Sequence, residues 1–187
     1  MQELEPGHHL VYGRMMNDEI TYRDANESDA DALAALFSDT FRETFGHLYK
    51  PADLAAFLSE HTPAHWTSQL RDGAFAVRIA EQDGEVVGFI KLGPIKLPVD
   101  PPGPALEVRQ LYVSPHVRGS GVSVKLMDWL IQEAQARGAQ ELYLSVYTDN
   151  PRARRFYVRY GFVDVGPYLF MVGSQADQDL IMRCSLA

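Results

Sequence analysis

Two glycines that follow a β-rich run have the spacing of a turn that binds phosphate. Gly119 and Gly121 lie between the run at 107–113 and an amphipathic stretch with helical periodicity. Such a turn directs the backbone N–H groups of residues 119–123 into one concavity, where they have no helical partner and the helix dipole adds positive potential. Arg118 adds charged donors suited to phosphate oxygens. We therefore predict a phosphorylated cofactor, held by Arg118, Gly119, Ser120, Gly121, Val122 and Ser123.

The same pattern also occurs in glycine-rich connections between a strand and a helix that bind no ligand. Two familiar phosphate-binding patterns are excluded. The chain has no G-x-x-x-x-G-K-[ST] stretch, and Val124 stands where the pattern G-x-G-x-x-G requires its third glycine. The glycine turn alone therefore leaves the ligand open.

The composition is that of an ordinary globular protein. The 187 residues are 46% hydrophobic and 22% charged, enough for one domain with a sizeable core. A net charge of -8 argues against general binding of nucleic acid or of an anionic membrane. A single cysteine excludes an internal disulfide, and no signal or membrane-spanning segment is evident, so the cytoplasm is the expected location. The spacing of the six histidines predicts no metal site.

Helical and strand patterns alternate along most of the chain. Residues 1–18 show no periodicity and are predicted to be a flexible N-terminal extension, whereas 19–187 are predicted to form one domain. Ser28 and Asp31 resemble a capping box at the start of the first helix. The predicted strands cover 19–23, 74–81, 86–92, 107–113, 142–146, 162–165 and 179–184. The predicted helices cover 28–46, a segment from 51, 66–71, 123–137 and 150–161.

A second motif lies at the start of the last predicted helix. Asn150 is placed to cap the helix and Pro151 to occupy its first turn. The apolar face of this helix includes Phe156, Tyr157 and Tyr160. Tyr157 can therefore be one more packed aromatic residue or a residue with a chemical role, and spacing alone does not separate the two.

Taken together, the two motifs resemble those of the GNAT superfamily of N-acetyltransferases, which use acetyl-coenzyme A. Residues 118–123 are similar to the family's [QR]-x-x-G-x-[GA] loop and follow a Leu-Tyr-Val strand, as the pattern expects. Residues 150–162 are similar to the pattern N-x-x-A-x-x-F-Y-x-x-x-G-F. The chain departs from the loop pattern at Ser123, where glycine or alanine is usual. The resemblance implies an α/β fold with a mixed, largely antiparallel central sheet flanked by helices.

The resemblance also implies where the cofactor lies. The pantetheine arm of acetyl-coenzyme A is expected alongside Leu111, Tyr112 and Val113, and the Val113 N–H is expected to stabilise the oxyanion. The pyrophosphate is expected on the glycine loop. Asn150 is expected to hydrogen-bond the pantetheine arm as well as to cap its helix.

Acetyl transfer to an amine also requires two proton transfers. An alkylamine has a pKa near ~10.4, so almost all of it is protonated at pH 7 and a base must remove a proton. Glu107 is the predicted base, because it lies on the strand that leads to the acetyl site and matches a frequent family position. Its alternative role is a solvent-facing or ion-paired strand residue, with Arg109 as partner. By resemblance, Tyr157 is the predicted acid that protonates the departing thiolate.

The acceptor is the least defined part of the prediction. Residues 40–49, and 170–173 together with 178–182, resemble a bacterial branch that includes spermidine/spermine N-acetyltransferases. A small-molecule amine, such as a polyamine, is the expected acceptor. Peptide or protein amines and a non-catalytic acyl-CoA-binding regulatory domain are the alternatives. A homodimer would fit such a domain, although no stretch marks an interface. By resemblance, the walls of the acceptor site are Phe45, His47, Tyr49 and the proline-rich loop at 93–105.

Overall fold

A computed structural model describes residues 19–186 as a seven-stranded sheet with helices on both faces. The strand order is β1-β2-β3-β4-β5-β7-β6, and every neighbouring pair is antiparallel except β4 and β5, which are parallel. The strands are β1 (Thr21–Asp24), β2 (Ala76–Gln82), β3 (Glu85–Gly93), β4 (Ala105–Val113), β5 (Glu141–Tyr147), β6 (Val163–Val172) and β7 (Gln175–Ser185). The helices are α1 (Ala30–Phe45), α2 (Pro51–Ser59), α3 (Pro63–Arg71), α4 (Val122–Ala136) and α5 (Pro151–Arg159).

This architecture confirms the predicted mixed, largely antiparallel α/β fold. The predicted N-terminal extension, residues 1–18, lies outside the described residues. Between residues 19 and 186, no helix is both long enough and apolar enough to cross a bilayer.

Two apolar cores cover the two faces of the sheet. On one face α4 packs through fully buried side chains such as Leu126 and Leu130, and α5 adds the partly buried Tyr157. On the other face α1 and α3 contribute Phe37 and Trp66. Full burial of one such side chain stabilises the fold by about 1.5–3 kcal/mol. The sheet is therefore held rigidly between two helical layers.

The capping box predicted at Ser28 and Asp31 is wrong, because the box forms two residues earlier. The Asn26 side chain accepts a hydrogen bond from the Ser28 N–H, and the Asp29 carboxylate accepts one from the Asn26 N–H. Asp29 is buried, and Arg23 on β1 binds both of its carboxylate oxygens. A tertiary ion pair thus selects the acidic residue that closes the box.

The last two strands are longer than predicted. β6 extends to Val172 and β7 begins at Gln175, so the two strands form one long hairpin around Gly173. Alternate β6 side chains, among them Leu169 and Met171, are exposed at this edge of the sheet. Because hairpin pairing rather than core burial orders this part of the chain, the apolar pattern detected only its ends.

Candidate active site

The centre of the site is an opening between β4 and β5. The two strands pair only where Ala105–Glu107 meets Glu141–Tyr143. Beyond these residues β4 runs on to Val113 and β5 to Tyr147 with no pairing between them. An unpaired strand edge offers backbone donors and acceptors to another extended chain. The opening can therefore receive an elongated ligand as an added strand.

The backbone of β4 directs polar groups into this opening. The Ser114 N–H donates to the Val87 carbonyl on β3, 2.8 Å away. Because successive residues of a strand direct their backbone groups to opposite sides, Val113 and Leu111 direct theirs toward the opening. The Tyr112 side chain lies on the α1 face, edge-on to the Phe37 ring at 5.1 Å. Leu111 and Val113 thus line the opening with their backbone groups, and Tyr112 between them packs into the α1 layer.

The glycine loop lies where β4 passes into α4. Gly119 and Gly121 both have φ of 90°, a conformation that residues with a Cβ rarely adopt. Gly121 is the N-cap of α4 and supplies no side-chain cap, so the first-turn N–H groups of Val122 and Ser123 have no capping partner in the described chain. The predicted row of N–H groups is wrong at Ser120, whose N–H and hydroxyl both donate to the Val117 carbonyl, at 3.3 and 2.6 Å.

A cleft of about 510 Å³ adjoins this loop. It is lined by Ile20, Tyr22, Ser120, Gly121, Val124 and Lys125. Lys125 is a cation beside the N-terminus of α4, and the sequence analysis did not single it out. Lys125 follows Gly121 by four residues, about one helical turn, and this spacing was the sequence signal for its position.

Arg118 is held by residues distant in sequence. Its guanidinium forms a two-pronged ion pair with Glu43 on α1, with Nη1 2.9 Å from Oε1 and a second, shorter contact from Nη2 to Oε2. Its Nε donates to the Val113 carbonyl at 3.2 Å. The side chain is thus fixed beside the glycine loop, and its contact with phosphate stays a prediction.

Asn150 and Tyr157 lie at the β5 side of the opening, on the chain that follows β5. The Asn150 Oδ1 accepts a hydrogen bond from the Ala153 N–H at 3.1 Å, so the predicted N-cap is confirmed. The Tyr157 ring packs edge-on against Phe156 and Phe162. Its hydroxyl has no hydrogen-bond partner among residues 19–186, and burial raises its pKa to about 12.

Glu107 is buried beneath the proline-rich loop. Its Oε2 accepts hydrogen bonds from the Lys96 and Leu97 N–H groups, at 2.7 and 3.2 Å. Its Oε1 lies 3.2 Å from Arg109 Nη1, so the ion pair considered from the sequence is present. The carboxylate therefore anchors the loop to β4, and its role as base stays a prediction.

A buried lysine lies next to this carboxylate. Lys91 Nζ is 2.7 Å from Gln69 Oε1 and 4.4 Å from the centre of the Trp66 ring. Burial, and then the charges of Arg109 and Lys96, lower its pKa from 10.5 to about 7. The ammonium form is thus costly in the folded protein.

Replacing Lys91 with methionine is expected to stabilise the protein by about 1–4 kcal/mol at pH 7. The unfolded chain keeps this proton up to about pH 10.4, whereas the folded protein releases it near pH 7. Wild-type stability therefore rises with pH between these values, and the advantage of Lys91→Met shrinks over the same range. Urea unfolding at pH 7 and pH 10 measures this, with the exposed Lys50→Met as control. A Lys91→Met protein less stable than wild type at pH 7 contradicts the prediction.

One buried carboxylate near the opening was missed by the sequence reasoning. Asp179 on β7 is 7% exposed, and burial raises its pKa from 3.8 to about 6. Its proximity adds to the effect of burial in raising the pKa values of Tyr112 on β4 and Tyr49 before α2. Ile181, two residues later, is also buried. Residues two apart in a strand point to the same face of the sheet, so the apolar Ile181 was the sequence signal that Asp179 lies on a buried face.

Outside residues 1–18 and 187, no group of three His, Cys, Asp or Glu side chains is placed to share a metal ion.

Of the expected acceptor walls, Tyr49 is buried and Phe45 packs edge-on against Tyr147 at 6.1 Å, whereas His47 is exposed. The structure thus brings Phe45 and Tyr49 to the same side of the opening as Asp179.

Known proteins share both the sequence pattern and the fold. The Acetyltransferase (GNAT) family profile matches residues 30–162. An uncharacterized N-acetyltransferase of Mycobacterium tuberculosis is 30% identical over 156 residues, 83% of this chain and 96% of that protein. An aminoalkylphosphonate N-acetyltransferase of Salmonella typhimurium is 29% identical over 140 residues, 75% of this chain and 82% of that protein. The crystal structure of a PaiA N-acetyltransferase of Thermoplasma acidophilum in complex with coenzyme A is similar with a TM-score of 0.74, at 17% identity, over 89% of this chain and 99% of that one.

Proposed function

The chain belongs to the acetyltransferase (GNAT) family and is an acetyl-CoA-dependent N-acetyltransferase, and from this premise we propose that it acetylates a primary amine of a small molecule. The opening between β4 and β5 carries this proposal, because it joins a free strand edge, an anion-binding helix end and an isolated tyrosine hydroxyl.

The residues around the opening fit coenzyme A. The free edge at Leu111 and Val113 suits the amide groups of the pantetheine arm, with Asn150 across the opening. The left-handed glycines expose backbone N–H groups to the pyrophosphate, with Arg118 and Lys125 as cations beside them. When bound, acetyl-coenzyme A supplies an acetyl group activated as a thioester.

The chain's own residues would then orient and neutralise the reacting groups. The Val113 N–H is the proposed donor to the developing negative charge on the acetyl oxygen. The Tyr157 hydroxyl is the proposed proton donor to the thiolate sulfur. Burial raises its pKa to about 12, so the hydroxyl holds its proton at neutral pH. The low-dielectric surroundings that raise the phenol pKa also raise the thiolate pKa, so the proton transfer stays feasible.

A polyamine is the acceptor that we favour. The net charge of -8 and the buried carboxylate of Asp179 both suit a cationic amine. A second candidate is an amine that carries an anionic group. Arg109 Nη1 is buried beside Lys91, and apart from the Glu107 carboxylate at 3.2 Å it has no polar partner in the described chain. One relative acts on aminoalkylphosphonates, which are amines of this second kind.

The test is acetyl-CoA turnover against a panel of amines. The panel contains spermidine, spermine, an aminoalkylphosphonate and a lysyl peptide, with release of free thiol and the mass of the product as readouts. We expect thiol release together with acetylated spermidine or spermine. Release with the aminoalkylphosphonate alone would favour the second candidate. Binding of coenzyme A with no release on any amine would overturn the proposed activity in favour of a non-catalytic acyl-CoA-binding domain.

A further inference from the structure

We propose that Asp179 binds the ammonium group of the acceptor and removes its proton, a role that rests on the function proposed above. The N–H bond of the ammonium breaks, the nitrogen keeps the electron pair, and the proton moves to a carboxylate oxygen of Asp179. The proton then leaves to solvent, so the carboxylate is restored after each turnover. The neutral amine is the form that can attack an acetyl group.

The position of Asp179 in the sheet supports this role. It pairs in register with Tyr147, the last residue of β5, and with Tyr168 on β6. The pairing of β5 with β4 has already ended at Tyr143, so Asp179 lies beside the wide end of the opening. Burial, and then the proximity of Tyr157 and Asp179, raise the pKa of Tyr112 on the opposite wall. The proposed base, the cofactor-binding strand and the proposed acid are therefore close together.

The charge around Asp179 is unbalanced. Among residues 19–186, no Lys, Arg or His forms an ion pair with it, and the nearby Ser145 side chain only partly offsets the rise in pKa that burial causes. The neighbouring Asp177 carboxylate accepts a hydrogen bond from the Tyr49 hydroxyl. The titratable groups that face Asp179 are Tyr49, Tyr112, Tyr147, Tyr168 and Asp177, with Tyr157 beyond Tyr112. A buried carboxylate without a cation is costly, and an ammonium ligand would relieve that cost.

Of the two buried carboxylates near the opening, Asp179 is better suited than Glu107 to accept a proton. Burial raises the pKa of Asp179 to about 6, so at neutral pH it is ionised and yet a stronger base than an exposed carboxylate. Glu107 already accepts two backbone N–H groups and lies 3.2 Å from Arg109 Nη1, so its oxygens are occupied by donors of this chain. A carboxylate with fewer donors is better suited to accept a proton.

The test compares three variants: Asp179→Asn, Asp177→Asn and Glu107→Gln. Asp177 is the matched control, because it lies two residues away on the same strand and contacts Tyr49 instead. The readouts are kcat/KM for the best amine of the panel between about pH 5 and pH 9, and calorimetric binding of spermidine and of coenzyme A. For Asp179→Asn we expect about 100-fold lower kcat/KM and loss of the acidic limb of the pH profile near pH 6.

Spermidine binding gives a readout that does not depend on turnover. Asp179→Asn is expected to weaken it about tenfold or more, with coenzyme A affinity within about twofold of wild type. Unchanged binding and pH profile in Asp179→Asn, or loss of the acidic limb in Glu107→Gln instead, would overturn the proposal. If spermidine binding depends on Asp179 but no amine is acetylated, the proposed activity is contradicted and the ammonium-binding role of Asp179 is supported. Neither binding nor turnover with any amine would contradict both.

Discussion

Replacing Tyr157 with phenylalanine is expected to lower kcat by about 100-fold or more while coenzyme A affinity stays within about twofold of wild type. The substitution removes the hydroxyl and leaves the ring, whose packing against Phe156 and Phe162 holds α5 in place. The hydroxyl makes no hydrogen bond within residues 19–186, so its loss costs the fold little. The departing sulfur would then have to take its proton from water.

Tyr160→Phe is the matched control for this experiment. Tyr160 lies three residues later, at the C-cap of the same helix, and its hydroxyl donates to Asp128 on α4 at 2.8 Å. Its removal should reduce stability by about 1 kcal/mol and leave kcat within about twofold of wild type. Thiol release gives kcat and calorimetry gives the Kd for coenzyme A. A Tyr157→Phe enzyme with wild-type kcat would show that another group protonates the sulfur.

Replacing Gly121 with valine is expected to weaken coenzyme A binding by about 10–100-fold. A valine at φ of 90° is strained although its Cβ meets no neighbouring atom, so the backbone should leave this conformation. The N–H groups of Val122 and Ser123 would then no longer converge on a phosphate. The predicted loss arises from backbone geometry, since no side-chain contact is removed.

Gly138→Val separates this effect from general destabilisation. Gly138 follows the other end of α4, has φ of 79°, and likewise has open space around its Cβ position. Both variants should lose a similar amount of stability, of the order of 1–3 kcal/mol, and thus show a similar fall in Tm. Only Gly121→Val should lose coenzyme A affinity. Equal affinities in the two variants would mean that the pyrophosphate binds elsewhere.

Local signals predicted the elements of the site well. The Asn150 cap, the glycine turn and the β-rich run at 107–113 each depend on a few adjacent residues, whose conformational preferences act wherever the chain is placed. The capping box failed for the opposite reason. Asn26 and Asp29 were chosen over Ser28 and Asp31 by an ion pair with another strand, which no local pattern contains.

Interactions between distant residues were not predictable in this way. The partner of Arg118 is 75 residues away on α1, and the hydrogen bonds that occupy Glu107 come from a loop without periodicity. Asp179 has the sequence environment of an ordinary polar strand residue. Its burial depends on β7 lying between β5 and β6, an order that the chain reaches only by a crossover.

The sequence by itself determined the family, the order of the elements, the glycine turn and the identity of Tyr157 as a chemical candidate. These features depend on residue type and short spacing, through backbone preferences that act over a few residues. The tertiary structure alone decided that β4 and β5 separate after Glu107 and that Asp179 is buried beside the opening. Strand pairing and burial are set by contacts between segments far apart in the chain, so the shape and charge of the site exist only once the sheet is assembled.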